Sequence, residues 1–576
     1  MRVTNLLLAI HTAYALDRVI TNVQPPDYFD DFPEIEIVGS KFFNSLTGEQ
    51  FFMKGIAYQP QRSMWDLEHA TGAFETDYID PLATPDICFR DIPYLKKLGI
   101  NTIRVYSIDP KQNHDECMFA LMDAGIYTIL DLSEPATSIV REAPVWDVTL
   151  FQRYADVVDA MQKYPNVLGF FAGNEVANDI STTSSVPFIK AAIRDIKKYI
   201  GSQGYREIPV GYSTNDDAMT RDQLADYFVC GEDTVDFYGI NMYEWCGYSN
   251  YEMSGYKECT ENFRDYPVPV FFSEFGCNLV RPRPFTEIEA LFSEKMTDVW
   301  SGGLAFMYFE EDNGYGVVQL DPETNTVTEL PDFYLLQEQY QAADPIGVTR
   351  EDYENAYLLL KRWESSCPEL SETWMGNEAL PPTPDSHRCS CLESVLPCLT
   401  TPFENKIRYN EFFDYVCTQV DCSDIQGDGK LGKYGSFSAC SANQKLSLEI
   451  SKLYFKSGSM EAVCPIADSN INFNKQFSRS TKKSRGDDGC ASVLNEVREE
   501  FFPTKPKIRN VAAVAESMVV AGPTAAETTE YMQTTTTSLG SSSYSVQELP
   551  NICDIQFRMR GFGLLYISTL IACVFL

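Results

Sequence analysis

Two glutamates with similar surroundings, Glu175 and Glu274, are the residues of this chain best suited to do chemistry. Each ends a short apolar run, the first over residues 167–172 and the second over residues 268–272. Runs of this kind are typical of strands buried on both faces, and barrel enzymes keep catalytic groups where such strands end. Two glutamates about 5 Å apart form the acid/base and the nucleophile of a retaining glycosidase. The pair therefore indicates sugar chemistry, provided that both strands belong to one barrel.

The elements that would position the two glutamates form a repeating pattern of strands and helices. Eight strands are predicted at 51–58, 102–108, 127–133, 167–175, 208–213, 235–243, 268–274 and 303–309. Helical spacing of apolar residues occurs at 87–98, 146–164, 188–200 and 288–300. Alternation of strand and helix favours parallel pairing, and eight repeats over about 260 residues predict an α/β fold of the (β/α)₈ barrel type.

An open, doubly wound sheet is the alternative architecture. Such sheets often bind nucleotides, and the sequence then contains recognisable glycine-rich motifs. No G-x-G-x-x-G follows the first predicted strand and no G-x-x-x-x-G-K-[ST] occurs, so no nucleotide partner is expected. The chain has four histidines, and none of them shows the spacing of a metal-ligand set. We therefore predict neither a metal nor a cofactor.

Polar and aromatic residues are predicted to gather at the strand ends around the two glutamates. A tyrosine such as Tyr243 can hold a nucleophile by a hydrogen bond, and Arg104 can orient a carboxylate. The residues at these ends are Gln59, Arg104, Tyr106, Asp131, Tyr243, Phe306 and Tyr308.

The overall charge limits the class of partner. The formal net charge is −36, which argues against nucleic acid and other anionic polymers because like charges repel. A neutral polymer such as a glucan is compatible with this charge, and aromatic residues, at 13% of the chain, suit the faces of sugar rings.

Both ends of the chain indicate the secretory pathway. Residues 1–15 form a predicted signal peptide with an A-x-A cleavage site at 13–15, and 17 cysteines fit an oxidising compartment. The apolar end at 562–576 is shorter than the roughly 20 residues of a membrane-spanning helix, so a tail anchor is the weaker alternative. A GPI-attachment signal at 551–576 is preferred, with attachment at Asn551 or, as second choice, at 541–543.

The region between the barrel and this signal contains three predicted segments. A Pro-rich linker at 376–388 precedes a domain at 389–495 that contains eight cysteines, an even number typical of a small disulfide-stapled domain. A Ser/Thr-rich stretch at 510–550 is predicted to be a disordered stalk. The expected location is the outer face of the plasma membrane, through a GPI lipid, and the cell wall.

Four motifs in this order resemble the fungal cell-wall β-1,3-glucanosyltransferases of glycoside hydrolase family 72. They are FMKGIAYQ at 52–59, GNE at 173–175, NMYEWCG at 241–247 and SEFGC at 273–277. The resemblance covers about residues 30–495. It implies a catalytic barrel at 30–375 and a mainly helical, cysteine-rich glucan-binding module at 389–495.

The resemblance also implies roles for single residues. Glu175 would be the acid/base, Glu274 the nucleophile, and Asn174 a hydrogen-bond partner of the sugar hydroxyl beside the reacting carbon. The residues expected to line the substrate sites are Gln59, Tyr106, Asp131, Asp216, Tyr243 and an aromatic at Phe306 or Tyr308. The implied reaction cuts inside a β-1,3-glucan chain and passes the new reducing end to the non-reducing end of another chain. A β-glycan hydrolase and an inactive wall-binding protein remain the alternatives.

The resemblance implies seven disulfide bonds. In the barrel they are Cys88–Cys117, Cys230–Cys367 and Cys246–Cys277. In the module they are Cys389–Cys440, Cys391–Cys490, Cys398–Cys464 and Cys417–Cys422. Cys259 has no counterpart in this pattern.

Overall fold

A computed structural model describes residues 32–61, 78–321, 324–357, 366–403, 405–460, 463–464 and 470–475, together with 490, 493 and 497. These residues all belong to the compact unit Met1–Val497. The predicted signal peptide, the predicted stalk and the predicted GPI signal with Asn551 lie outside the described residues.

Eight parallel strands form a closed barrel in chain order, with the eighth strand paired to the first. They run Met53–Ala57, Thr102–Val105, Tyr127–Asp131, Val167–Asn174, Val210–Asn215, Tyr238–Cys246, Val270–Cys277 and Trp300–Ala305. Every predicted strand overlaps one of these, and the predicted (β/α)₈ barrel is confirmed. The strands are apolar on both faces because helices cover the outside and packed side chains fill the inside.

Helices follow the strands around the barrel. They are Pro85–Leu98, Asp115–Asp123, Val148–Met161, Val186–Gln203, Arg221–Val229, Tyr256–Asn262, Glu287–Leu291, Pro331–Ala342 and Arg350–Tyr357, with a 3₁₀ helix at Ile180–Ser185. Asp147 begins the third of them, because its side chain accepts hydrogen bonds from two backbone amides of the first turn. Within the described part of the chain, no helix has both the length and the apolar character needed to cross a membrane.

The helix predicted at 288–300 is wrong in extent. The observed helix ends at Leu291, and Trp300 begins the eighth strand, where its ring packs against the ring of Phe272 at 4.6 Å. The apolar residues of this stretch belong to a short helix, a turn and a buried strand in succession. Periodicity alone does not separate a buried strand from a buried helix.

The amino-terminal end of the barrel is closed by a hairpin and a layer of aromatic side chains. Strands Ile35–Val38 and Lys41–Asn44 pair antiparallel, and Phe42 of the hairpin packs on Phe237 and Phe271. The layer is so tight that a Cβ atom at Gly211 would lie 2.4 Å from the ring of Phe237. This packing leaves the carboxyl ends of the strands as the open mouth.

The cysteine-rich module is mainly helical, as expected. Its helices are Ser386–Val395, Ile407–Cys417 and Ala442–Lys456, and its short strands are Cys398–Thr400, Gly427–Asp428, Lys433–Tyr434 and Ile471–Phe473. Leu446 and Ile450 of the third helix are fully buried and pack with Val416 of the second helix in the module's own core.

Seven disulfide bonds join the pairs that the resemblance implied. Three lie in the barrel unit, at Cys88–Cys117, Cys230–Cys367 and Cys246–Cys277. Four lie in the module, at Cys389–Cys440, Cys391–Cys490, Cys398–Cys464 and Cys417–Cys422. Among the described cysteines, Cys259 is buried and carries no disulfide.

The linker and the module are held against the barrel. The Arg194 guanidinium donates to the carbonyl of Pro381 at 2.9 Å, and the Thr383 hydroxyl donates to Asp195 at 2.7 Å. The module in turn accepts a backbone hydrogen bond from Val148 at the carbonyl of Ala439, at 2.9 Å. The Pro-rich segment therefore lies on the fourth helix of the barrel, where its carbonyl groups serve as acceptors.

Candidate active site

Glu274, near the end of the seventh strand, is held from both sides by hydrogen-bond donors. The Tyr106 hydroxyl donates to Oε1 and the Tyr243 hydroxyl donates to Oε2, each at 2.8 Å. The guanidinium of Arg104 approaches Oε1 at 3.4 Å. Since the residue is only 7% exposed, its carboxylate is fixed in a single orientation at the mouth of the barrel.

Arg104, on the second strand, organises the floor of this mouth. Its Nε and Nη2 atoms each lie 3.0 Å from an oxygen of Asp131, and Nη2 also donates to Asn174 Oδ1 at 3.0 Å. The guanidinium lies between the rings of Tyr106 and Phe171, at 4.4 Å and 4.3 Å from their centroids. A buried, bidentate arginine of this kind is rigid, so it sets the position of every group that it contacts.

Glu175 follows the end of the fourth strand and accepts a hydrogen bond from the side-chain amide of Asn241. Nδ2 of Asn241 donates to Glu175 Oε1 at 2.7 Å and to Asn174 Oδ1 at 3.2 Å. Oδ1 of Asn241 accepts from the hydroxyls of Ser273 at 2.9 Å and Ser213 at 3.1 Å. Asn241 therefore connects the end of the fourth strand, which carries Glu175, to the seventh strand, which carries Glu274.

The backbone of Glu175 adopts an uncommon conformation. Its φ is +48°, in the left-handed region that non-glycine residues rarely occupy. Arg141 donates to its carbonyl at 2.9 Å, and its amide donates to the carbonyl of Ser213 at 2.9 Å. Strain of this kind costs on the order of 1–3 kcal/mol and clusters at functional sites, where surrounding contacts hold it in place.

The electrostatics of Glu274 reflect burial beside a second carboxylate. Burial raises the pKa of Glu274 to about 7, and the charge of Glu175 adds to the rise. Arg104 and the hydroxyls of Tyr243 and Tyr106 oppose it, because they stabilise the ionised form. Burial also raises the pKa of both tyrosines, so they remain protonated donors at neutral pH.

A wall of three aromatic rings stands beside Glu274. Phe306 and Tyr315 pack edge to face at 5.3 Å, and both contact the ring of Tyr243, at 6.4 Å and 5.9 Å. All three residues are partly exposed, so part of the wall faces solvent. We call this set the aromatic wall.

Three of the residues expected to line the substrate sites have other partners. Tyr308 is fully buried and its hydroxyl donates to Asp91. The chain after the eighth strand runs beside the first strand, which turns this ring away from the mouth of the barrel. Asp131 is 3% exposed and its carboxylate faces Arg104. Gln59 uses its amide oxygen for the backbone amides of Tyr106 and Ser107, so it holds the loop that carries Tyr106.

Asp216 lies after the fifth strand in a separate charged group. Its carboxylate accepts from Arg221 at 2.8 Å. Burial and the neighbouring Asp216 raise the pKa of Glu244 to about 7. The structure therefore brings together Tyr106, Asn174, Glu175, Tyr243, Glu274 and Phe306, and it leaves Asp216 in this neighbouring ion pair.

Several residues of the site have roles that the sequence did not predict. Asn241 is in the predicted motif at the end of the sixth strand, but no role was assigned to it, although it precedes Tyr243 by two positions and side chains two apart share a face. Ser213 and Ser273 are small polar residues inside apolar strands, which is a weak signal. Tyr315 is on a loop beyond the eighth strand, and its local sequence gives no indication that it returns to the mouth.

The fold and the site together define a class of protein. A closed parallel barrel with two glutamates whose charges interact, at the ends of its fourth and seventh strands, has the architecture of a barrel glycoside hydrolase. Within this class, the chain belongs to the glucanosyltransferase family, whose family model matches residues 26–344. A second family model, the X8 domain, matches residues 396–471 in the module.

Curated relatives support the same family along most of the chain. The 1,3-beta-glucanosyltransferase GAS2 of Saccharomyces cerevisiae is 52% identical over 95% of each chain. The 1,3-beta-glucanosyltransferase PGA5 of Candida albicans is 45% identical over 82% of this chain and 77% of its own length.

Solved structures are similar over both barrel and module. The apostructure of a Saccharomyces cerevisiae Gas2p mutant matches with a TM-score of 0.77 and 56% identity, covering 82% of this chain and 98% of that one. A complex of a Gas2p mutant with laminaritetraose and laminaripentaose matches with a TM-score of 0.74 and 54% identity, covering 82% of this chain and all of that one.

Proposed function

We propose that this chain elongates β-1,3-glucan in the cell wall by cleaving an internal β-1,3-glucosidic bond and joining the new reducing end to the non-reducing end of a second chain. Membership of the glucanosyltransferase family supports this activity. Relatives that match most of the chain are named 1,3-beta-glucanosyltransferases, and Gas2p has been solved with β-1,3-linked glucose oligomers. The observation that carries the mechanism is the convergence of Tyr106, Tyr243 and Arg104 on the carboxylate of Glu274.

In the first step Glu274 is the nucleophile and Glu175 is the acid. The Glu274 carboxylate attacks the anomeric carbon while Glu175 gives its proton to the glycosidic oxygen. The bond between that carbon and that oxygen breaks, the leaving chain departs as an alcohol, and a glycosyl ester forms on Glu274. The donors around Glu274 hold it as an acceptor-only carboxylate in the correct orientation.

In the second step Glu175 acts as the base. A hydroxyl at the non-reducing end of the acceptor chain gives its proton to Glu175 and attacks the anomeric carbon. The ester bond breaks and Glu274 leaves as a carboxylate, so two inversions restore the β configuration. Asn174, whose Oδ1 is held by Arg104 and Asn241, keeps its amide NH₂ for the sugar hydroxyl beside the reacting carbon.

Transfer exceeds hydrolysis when an acceptor sugar is held close to the ester. A hydroxyl fixed beside the anomeric carbon has a high effective concentration and outcompetes bulk water. The aromatic wall supplies flat apolar surface next to Glu274, which suits the faces of a glucose unit.

The remaining segments fit an enzyme of the cell surface. We propose that residues 1–15 are removed as a signal peptide, that residues 30–375 form the catalytic domain, and that the module at 389–495 binds glucan. We further propose that Asn551 receives a GPI lipid, with residues 510–550 as the stalk that separates the enzyme from the plasma membrane.

A defined oligosaccharide tests this function. The purified enzyme is incubated with a reduced β-1,3-glucan oligosaccharide of a single length, and the products are separated by size. We expect products both longer and shorter than the substrate, with the β configuration retained. Shorter products alone would make the chain a hydrolase, and no products at all would support a binding protein.

A further inference from the structure

Arg283 is a buried arginine outside the group that contacts the two glutamates. It follows the seventh strand and is 1% exposed. Its Nε atom donates to Asp332 Oδ2 at 2.7 Å, and its backbone amide donates to Asp332 Oδ1 at 3.3 Å. Asp332 is itself buried in the first turn of helix Pro331–Ala342, where a negative charge is favourable. The arginine is thus anchored to a fixed helix.

The other end of the guanidinium contacts three backbone segments that form the mouth. Nη1 donates to the carbonyl of Phe306 at 2.5 Å and to the carbonyl of Gly276 at 3.2 Å. Nη2 donates to the carbonyl of Tyr315 at 2.5 Å. Phe306 and Tyr315 belong to the aromatic wall, and Gly276 lies two positions after Glu274.

The shape of the side chain explains why an arginine occupies this position. A guanidinium presents five N–H donors in one rigid plane, so it can contact a carboxylate and three carbonyls at once. It also lies 5.7 Å from the centroid of the Tyr315 ring and 4.6 Å from that of Phe285. An ammonium group has three donors at one point and does not reach the same set of partners.

We propose that Arg283, anchored by Asp332, is a positioning residue that holds Phe306 and Tyr315 beside Glu274 and thereby sets the ratio of transfer to hydrolysis. This inference rests on the proposed function. Arg283 acts through the backbone of the wall and of Gly276 and does not touch the substrate, because its own guanidinium is covered by the backbone segments that it joins. Loosening Phe306 and Tyr315 weakens the hold on the acceptor, whereas Tyr106 and Arg104, which lie outside the wall, keep their contacts with Glu274.

The test uses the variants Arg283→Lys and Asp332→Asn in the full-length enzyme. Reduced β-1,3-glucan oligosaccharide serves as donor and a labelled oligosaccharide as acceptor, and transfer and hydrolysis products are measured in the same reaction. We expect KM for the acceptor to rise and the transfer-to-hydrolysis ratio to fall, each by at least about threefold, since hydrogen bonds to the wall are lost. Cleavage of the donor should stay within about twofold of the wild-type rate.

Two comparisons separate positioning from general damage. Arg206 donates to the backbone carbonyls of Tyr164 and Val167 near the start of the fourth strand, so Arg206→Lys should leave the ratio unchanged. Tyr315→Ala should lower the ratio, and adding Arg283→Lys to it should cause little further loss. Should the lysine variant fail to fold, Asp332→Asn, alone and combined with Tyr315→Ala, is compared with Arg281→Lys, because Arg281 also pairs with Asp332, at 3.4 Å.

The two levels of the proposal fail in different ways. If the wild-type enzyme makes no products that are longer than the substrate, the proposed function itself is refuted. With a wild type that transfers, an unchanged ratio in the folded variants would overturn the role of Arg283, as would a parallel fall of transfer and hydrolysis.

Discussion

The hydroxyl of Tyr243 provides a sharp test of the electrostatics at Glu274. It donates to Oε2 at 2.8 Å and, together with Tyr106 and Arg104, favours the ionised form of a carboxylate whose pKa burial raises to about 7. Tyr243→Phe removes this donor and keeps the ring in the aromatic wall. The pKa of Glu274 should therefore rise further, and the enzyme should need a higher pH to carry the ionised nucleophile.

The size of the change follows from the hydrogen bond that is lost. A hydrogen bond to a charged group contributes about 1.5–3 kcal/mol, and about 1.4 kcal/mol corresponds to one pH unit. Because Tyr106 and Arg104 remain in contact with Glu274, we take the lower end of this range. In a plot of kcat/KM against pH, the acidic limb should move upward by about 1 pH unit. At pH values below the pKa of Glu274 in the wild type, kcat/KM should therefore fall about tenfold.

The assay measures kcat/KM for a β-1,3-glucan oligosaccharide as a function of pH. Tyr308→Phe is the matched control, because the hydroxyl of Tyr308 donates to Asp91 in a buried position outside the site. The control should keep the wild-type profile. An acidic limb that stays in place in Tyr243→Phe, or that moves equally in Tyr308→Phe, would refute the reasoning.

Two further predictions concern the catalytic carboxyl groups and a buried glutamate of the module. Glu175→Gln and Glu274→Gln should each lower the rate by at least about 10²-fold while the chain still folds and unfolds cooperatively, and substantial activity in either variant would contradict the assigned roles. Burial and Asp424 raise the pKa of Glu449 in the module from 4.5 to about 9. Between these pH values Glu449 is ionised in the unfolded chain but still protonated in the folded chain. The stability that this group contributes is therefore present at low pH and is lost as the pH rises. Thermal unfolding at several pH values should show a weaker pH dependence in Glu449→Gln than in the wild type, and identical dependence would argue against this pKa.

Parts of this structure that depend on local patterns could be predicted from the sequence. The barrel strands are short apolar runs between turn residues, and helices alternate with them. The barrel architecture and the positions of the strand ends could therefore be predicted from this pattern. Glu175 and Glu274 could be identified because each interrupts such a run with a charge. The expected disulfide pairs came from the family resemblance, since cysteine spacing alone leaves many pairings open.

Other parts depend on where side chains point after the strands end. Tyr308 and Phe306 lie two positions apart, yet the path of the chain sends one to the helix layer and the other to the mouth. Asp131 is at a strand end as predicted, but the charge of Arg104 holds its carboxylate in the interior. Arg283 and Tyr315 meet only through tertiary structure, so their contact has no signature in either local sequence.

The glycosyl ester on Glu274 is the most direct test of the account. A β-1,3-glucan oligosaccharide with a good leaving group, and with fluorine replacing the hydroxyl beside the reacting carbon, should form this ester faster than the enzyme resolves it. After digestion, mass spectrometry should find the sugar on the peptide that carries Glu274. A label on the peptide that carries Glu175, or unlabelled enzyme that releases products of inverted configuration, would contradict the double-displacement mechanism proposed for this chain.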